Sequence, residues 1–294
     1  MRTRSILAAA LIIVALSILV SSITYADNIY VGCDDGTILK FDSSGNSSTF
    51  ASGLSYPSSL AFDRSGNLYV SNEGTGTIEK FDSSGNRSTF FSSDDFSFYP
   101  TALAFDRSGN LFVTGLEAYS GSGEIMKFDS SGHMSTFASD LDGAWNLAFD
   151  SSNNLYVTGD SPGIMKFDSS GNMTILDPSL CWPGPLAFDS TGNLYAAEER
   201  QDIVIFKYDS SGNRTVFASG LIATGIAFDS SGNLYENDEG GRYNTIFKFD
   251  SSGNKSTFVL NVSSQLEGIA IQVPEPATLL LLSLGAAFAI RKHR

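Results

Sequence analysis

The sequence predicts an all-β fold: a six-bladed β-propeller of four-stranded antiparallel blades, closed by pairing N-terminal and C-terminal strands. Three observations predict it. The turn Asp-x-Ser-Gly-Asn, or a close variant, occurs eleven times between Asp42 and Asn254. Its first residues form two interleaved series, with steps of 39 to 47 residues in each. A repeat of that length with two tight turns is a small antiparallel sheet copied around a ring. Finally, the two chain ends carry complementary halves of one copy.

The second copy shows the unit. It reads LAFDRSGNLYV (Leu60–Val70), a loop, TIEKFDSSGNRSTF (Thr77–Phe90) and another loop. Short apolar and aromatic runs on either side of each turn are strand chemistry. Asp at the first turn position bonds backbone N–H groups further on, and Gly supplies the positive-φ residue of the hairpin. Ten turns have that Gly; the eleventh has Asn153.

Each copy thus supplies four strands and must stack on its neighbours to bury both faces. A Lys-(Phe/Tyr)-Asp signature marks six third strands, at Lys40, Lys80, Lys127, Lys166, Lys207 and Lys248. Only five turns join first to second strands. The chain enters with a second strand, Asn28-Ile29-Tyr30-Val31, and leaves with a first strand, Gly268-Ile269-Ala270-Ile271. Joined, near Ile29 and Ile269, they complete the sixth blade and remove the open edges. An open solenoid leaves the split copy unexplained.

The stretch Pro57–Asn86 resembles an NHL repeat, in its opening PSSLAFDRSGNLYV and its close EKFD. The likeness runs from Asn28 to Ile271. It implies the six-bladed fold of NHL and streptogramin-lyase-like propellers. It implies little about function, since such folds host unrelated activities.

The ends stand apart from the propeller at 27–272. Residues 1–26 read as a secretory signal peptide: Arg2 and Arg4, an apolar run from Ile6 to Val20, and a small-residue cleavage site ending at Ala26. Residues 273–294 contain Pro274, Glu275 and Pro276, an apolar segment at 277–290 and four basic or His residues. The segment is shorter than the ~20 residues of a comfortable membrane helix, and the basic end favours the cytoplasmic side.

This tail resembles the PEP-CTERM sorting signal of bacterial envelope and exopolysaccharide-associated proteins. The resemblance implies cleavage near Pro274-Glu275-Pro276 by an exosortase-type enzyme. It also implies export through the inner membrane to the cell envelope, surface or extracellular matrix. A permanent membrane anchor is the alternative.

Charge narrows the partners. Five of the 18 Lys+Arg and one of the 32 Asp+Glu lie in the ends, leaving the propeller 13 against 31, a net of −18. That disfavours nucleic acid, whose binding rests on Lys and Arg, and favours cations. Cys33 and Cys181 fall in non-adjacent copies, so no bridge between them is expected. The six lysines, present in every copy, are expected to pair structurally with nearby acids or turn carbonyls.

Strand alternation sends all eleven turns to one face and the variable loops to the other. The turn face reads as structural, and sites are usually built on variable loops. Loops after the second strands offer a carboxylate in every blade: Asp34, Glu73, Glu117, Asp160, Glu199 and Glu239. Six carboxylates at one radius suit a divalent cation such as Ca2+ over the channel; a solvated acidic rim is the plainer alternative. Tyr56, Tyr99 and Trp182 share one loop position before the first strands, with Trp145 nearby and Tyr119 and Tyr243 on the other loops. Aromatic faces beside carboxylates suit stacking on sugars or peptide capture; packing of the blade seam is the alternative.

Streptogramin-lyase-like propellers use a His with magnesium, and gluconolactonase-like ones a carboxylate/Asn-bound metal. This chain has two histidines. His293 is in the tail and His133 in a turn on the other face, so a lyase His has no candidate. A metal hydrolase using Glu73, Asp160 and Glu239 with Asn72 or Asn237 stays open. The leading expectation is a surface-sorted, non-enzymatic module binding exopolysaccharide or an envelope protein through its variable-loop face. The alternative is a metal-dependent hydrolase or lyase there.

Overall fold

In all eleven turns the aspartate makes the same bonds. Its backbone N–H reaches the carbonyl four residues on, and its own carbonyl accepts from the Gly N–H, or from Asn153. Asp42 Oδ1 accepts from the N–H of Ser44 at 2.9 Å and of Asn46 at 3.0 Å, and Oδ2 from the Asn46 amide at 2.9 Å. The Gly of each turn is left-handed, as at Gly45 (φ 83°), and Asn153 takes the same region at 67°. Asn tolerates that region better than most residues with a Cβ.

Bonding to the charged form holds the carboxyls of Asp42, Asp82, Asp168, Asp209 and Asp250 below their ordinary 3.8, with the Asn side-chain amide the first cause. A carboxyl depressed by folding adds stability above its unfolded value, and that stability is lost as pH falls through the folded value. The thermal midpoint, followed by circular dichroism, is therefore expected to drop between about pH 4 and about pH 2. A flat acid limb would contradict this.

The computed structural model describes residues 27–93, 98–117, 121–160, 163–180, 182–198, 203–240 and 244–273. Residues 28–272 form six four-stranded antiparallel sheets arranged as a β-propeller. Blade 1 joins Leu266–Gln272 to Asn28–Cys33, Ile38–Phe41 and Ser47–Ala51. Blades 2 to 6 begin at Pro57–Phe62, Phe98–Phe105, Asn146–Phe149, Pro183–Phe188 and Ala223–Phe228. These first strands contact one another in sequence, and the sixth returns to the first, so they line the axis. Closure is by Asn28–Cys33 against Leu266–Gln272. The two strands pair as expected, but Ile29 lies opposite Ile271 and Ile269 opposite Val31, a register two residues away from the Ile29–Ile269 pairing expected.

Seams between blades are aromatic. The second-strand ring of one blade meets the last Phe of the next blade's first strand edge-on: Tyr30–Phe62 at 5.0 Å, Tyr69–Phe105 at 5.0 Å, Phe112–Phe149 at 4.9 Å, Tyr156–Phe188 at 5.0 Å and Tyr195–Phe228 at 4.9 Å. The six lysines belong to this arrangement. Each Nζ stands 5.1–5.5 Å from the centroid of its own blade's ring. Their structural role is therefore met by a cation–π contact. None joins an acid: the ion pairs among the described residues are Arg87–Glu79 at 3.1 Å and Arg214–Asp177 at 2.8 Å. The turn aspartates are already engaged by their own turns.

Nearer the axis, hydroxyls clip successive blades together. Ser58 Oγ donates to the Thr101 carbonyl at 3.0 Å, Thr101 Oγ1 to Ala144 at 3.0 Å, Thr158 Oγ1 to Gly184 at 3.2 Å and Thr224 Oγ1 to Leu266 at 2.8 Å. Between blades 5 and 6 the equivalent residues, Gly184 and Ala197, have no hydroxyl. Cys33 is buried and free, its thiol pushed by burial to about 11; Cys181 lies outside the described residues.

Candidate functional site

The variable face is held by its own backbone. After the second strands, the equivalent acidic residues donate their N–H groups to the loop that enters the first strand. Asp34 reaches Gln265 O at 3.1 Å, Glu73 reaches Tyr56 O at 3.0 Å, Asp160 reaches Asp142 O at 2.8 Å and Glu239 reaches Ile222 O at 3.0 Å. The shared sequence position thus has a backbone job in four blades. Glu117 ends strand Leu111–Glu117 instead of lying in a loop, and Glu199 is outside the described residues.

Three of the expected carboxylates act together on one not expected. Glu267, on the innermost strand of blade 1, is raised to about 7, first by burial, then by the charges of Glu239, Asp34 and Glu73. Glu73 is itself raised by burial. Gln265 ties two of the group together, its N–H 3.1 Å from Asp34 Oδ1 and its Nε2 2.5 Å from Glu239 Oε1. Like charges crowding a half-buried site explain the direction of the shift. Asp160 takes another course: its Oδ1 accepts the indole N–H of Trp145 at 2.9 Å. Asn72 is occupied too, by the Ser55 N–H at 2.6 Å and by Thr75. Among the described residues no three His, Cys, Asp or Glu side chains are grouped so as to hold a metal ion.

The aromatic residues divide. Tyr56 and Trp182 are 51 % and 44 % exposed, and both are left-handed, at φ 55° and 54°. A bulky residue in that region is strained. Each precedes a proline that opens its blade's first strand, Pro57 or Pro183. Blades 2 and 5 are opposite members of a ring of six, so the two side chains belong to opposite sides of the channel mouth. Tyr99 lies within strand Phe98–Phe105, opposite Leu116, because that first strand starts earlier than the others; it is not a loop residue. Tyr119 and Tyr243 lie outside the described residues.

Sequence reasoning passed over a second acid. Glu236 is fully buried, and both its carboxylate oxygens lack a hydrogen-bond partner. Burial first, then Asp238, raises it to about 8, with Lys255 pulling the other way. The register equivalents are Val31, Val70, Val113, Val157 and Ala196, so the break in NLYEND was the available signal.

Fold and tail together define the class: a six-bladed propeller carrying a protein-sorting signal. The PEP-CTERM protein-sorting motif matches residues 272–294. Such a motif implies export, association with the cell surface or envelope, and recognition by exosortase-type processing. Ala26, Pro274, Glu275, Pro276 and the segment 277–290 lie outside the described residues, within which no helix is long and apolar enough to cross a membrane.

Solved structures share the fold at low identity. An inactive virginiamycin B lyase from Staphylococcus aureus with quinupristin is 15 % identical, with a TM-score of 0.61, over 85 % of this chain and 94 % of that one. A gluconolactonase from Xanthomonas campestris is 17 % identical, with a TM-score of 0.62, over 70 % and 77 %. The calcium-binding protein regucalcin from Agrobacterium tumefaciens is 16 % identical, with a TM-score of 0.56, over 72 % and 76 %. No curated protein sequence matches the chain significantly.

Proposed function

We propose that this is a surface-sorted propeller that binds glycan of the extracellular matrix through its variable-loop face, without transforming it. One observation carries the reading: Tyr56 and Trp182, exposed and held in a strained backbone at equivalent places in opposite blades. Burial in a blade seam does not account for rings that stand 51 % and 44 % exposed. Two rings across a channel mouth, with carboxylates between them, suit the apolar face and hydroxyl edge of a sugar. Trp145, oriented by Asp160, extends the same face. An envelope protein as partner would use the same side chains.

The test is a glycan array probed with the full chain. Binding is expected, with the signal lost in Trp182→Ala and reduced about tenfold in Tyr56→Ala, since one aromatic stacking contact contributes roughly 1–1.5 kcal/mol beyond its buried area. Equal signals from wild type and Trp182→Ala would overturn the reading. Lactones are expected to show no turnover with or without calcium; turnover abolished by EDTA and by alanine at Glu73, Asp160 and Glu239 would replace it with a metal hydrolase.

A further inference from the structure

The turn face is less uniform than its repeats. Nine of the eleven turns have Ser at the second position; two have Arg, at Arg64 and Arg107. Both belong to turns between first and second strands, in adjacent blades 2 and 3, and the ring brings them to one cleft of about 620 Å³. The equivalent clefts between blades 4 and 5 and between blades 5 and 6 are smaller, about 480 and 270 Å³.

Charge separates the three. The first has Arg64, Arg107 and Lys80 against Asp63, Asp106 and Asp129. The second has Lys166 against Asp150 and Asp209, and the third Lys207 against Asp189 and Asp250. The aspartates face inward chemically. Asp63 Oδ1 accepts from Ser65 and Asn67 N–H at 2.9 and 2.8 Å and Oδ2 from the Asn67 amide at 2.6 Å, and Asp106 repeats the pattern.

The cations are held more loosely. Among the described residues neither arginine nor Lys80 is in an ion pair, and Lys80 stands 5.1 Å from the centroid of the Tyr69 ring. Arg64 donates to the Arg107 carbonyl, and the Arg107 N–H to Asn153 Oδ1 at 3.0 Å, which anchors both turns. In the two Arg-bearing turns both carboxylate oxygens are thus engaged; Asp129, whose turn ends in His133, has only its Oδ1 bonded, by the Ser131 and His133 N–H groups. The floor of the cleft is half-buried Phe62, Phe90 and Phe105.

We propose that this cleft, on the face opposite the variable loops, binds a sugar ring bearing a carboxylate. The guanidinium groups of Arg64 and Arg107 would take the carboxylate, for which their planar fork is matched. The phenylalanine floor takes the C–H face of the ring, and Lys80 a ring hydroxyl. The protein's negative net charge opposes approach only over about a Debye length, ~8 Å at physiological salt. Within the cleft, cations and carboxylates balance.

Calorimetric titration of the full chain in detergent with trigalacturonate tests this. Binding that weakens with added salt is expected. Arg64→Ser with Arg107→Ser, which restores the residue of the other nine turns, is expected to weaken it at least about tenfold, each charged hydrogen bond being worth over 1 kcal/mol. The thermal midpoint of that variant should stay within a few degrees of wild type. Trp182→Ala should leave the titration unchanged, which keeps this site distinct from the variable face. No binding of trigalacturonate, equal binding of neutral galactotriose, unchanged binding by the double serine variant, or loss in Trp182→Ala alone would each overturn the assignment.

Discussion

Glu236→Val is expected to make the protein more stable, and more so at pH 8 than at pH 5. Glu236 is fully buried with neither oxygen bonded, and burial lifts it from 4.5 to about 8. The folded state must therefore keep it protonated across neutral pH, while the unfolded chain lets it ionise. For an acid raised by folding, the folded state binds the proton more tightly. Stability then falls as pH rises from the unfolded to the folded value, and is level beyond it. At pH 7 the cost is about 3 kcal/mol. Removing it should raise the midpoint on the order of 5–10 °C in a domain of this size.

Val is the choice because four other blades carry it at that register position. Glu236→Gln separates the two contributions: it removes the share of the pH slope due to Glu236, leaving that of Glu267, but keeps an unsatisfied buried amide. Midpoints measured by calorimetry from about pH 5 to about pH 9 would decide it. Wild-type and valine profiles of equal slope, or a valine variant no more stable at pH 8, would show that the carboxyl finds a partner.

Ending the chain after Gln265 is expected to abolish cooperative unfolding. The lost strand, Leu266–Gln272, contributes Leu266, Ile269 and Ala270, exposed only 1, 8 and 7 %. Its loss uncovers Ile29 and Val31 opposite it, and removes the Thr224–Leu266 clip to blade 6. The apolar area alone is worth on the order of 10 kcal/mol, comparable with the whole stability of a domain, about 5–15 kcal/mol. The bared edge of Asn28–Cys33 would then pair with other chains. A chain ending at Val273 should melt like the full chain, because it keeps every strand of the propeller. A cooperative melt of the shorter chain within a few degrees of the longer one would mean that the ring does not depend on its joint.

Repetition made the fold readable. One aspartate turn written eleven times specifies hairpins wherever it stands, because its hydrogen bonds close within five residues; His133 and Asn153 are tolerated for the same reason. Blade number and the split blade followed from the order of strands. The site was less readable, since it depends on side chains from different copies. Tyr99 shares a sequence position with Tyr56 and Trp182, but an early-starting strand absorbs it. Asp160 reads as a candidate cation ligand along the chain, and only the fold shows that its Oδ1 also accepts the Trp145 indole N–H. The lysines repeat beside acids in the sequence, yet each acid closes its own turn and each lysine turns to a ring.

By itself, then, the sequence determined what is local or periodic: turn chemistry, strand alternation, six modules, a closing strand drawn from each end and a sorting tail. Only the tertiary structure decided which departures from the repeat matter. Glu236, Arg64 and Arg107 are all visible as exceptions in the text of the chain. Whether an exception faces water, a neighbouring ring or another exception depends on blade stacking, which joins residues some 40 positions apart. Desolvation and charge pairing act over a few ångströms of space, whatever the distance along the chain.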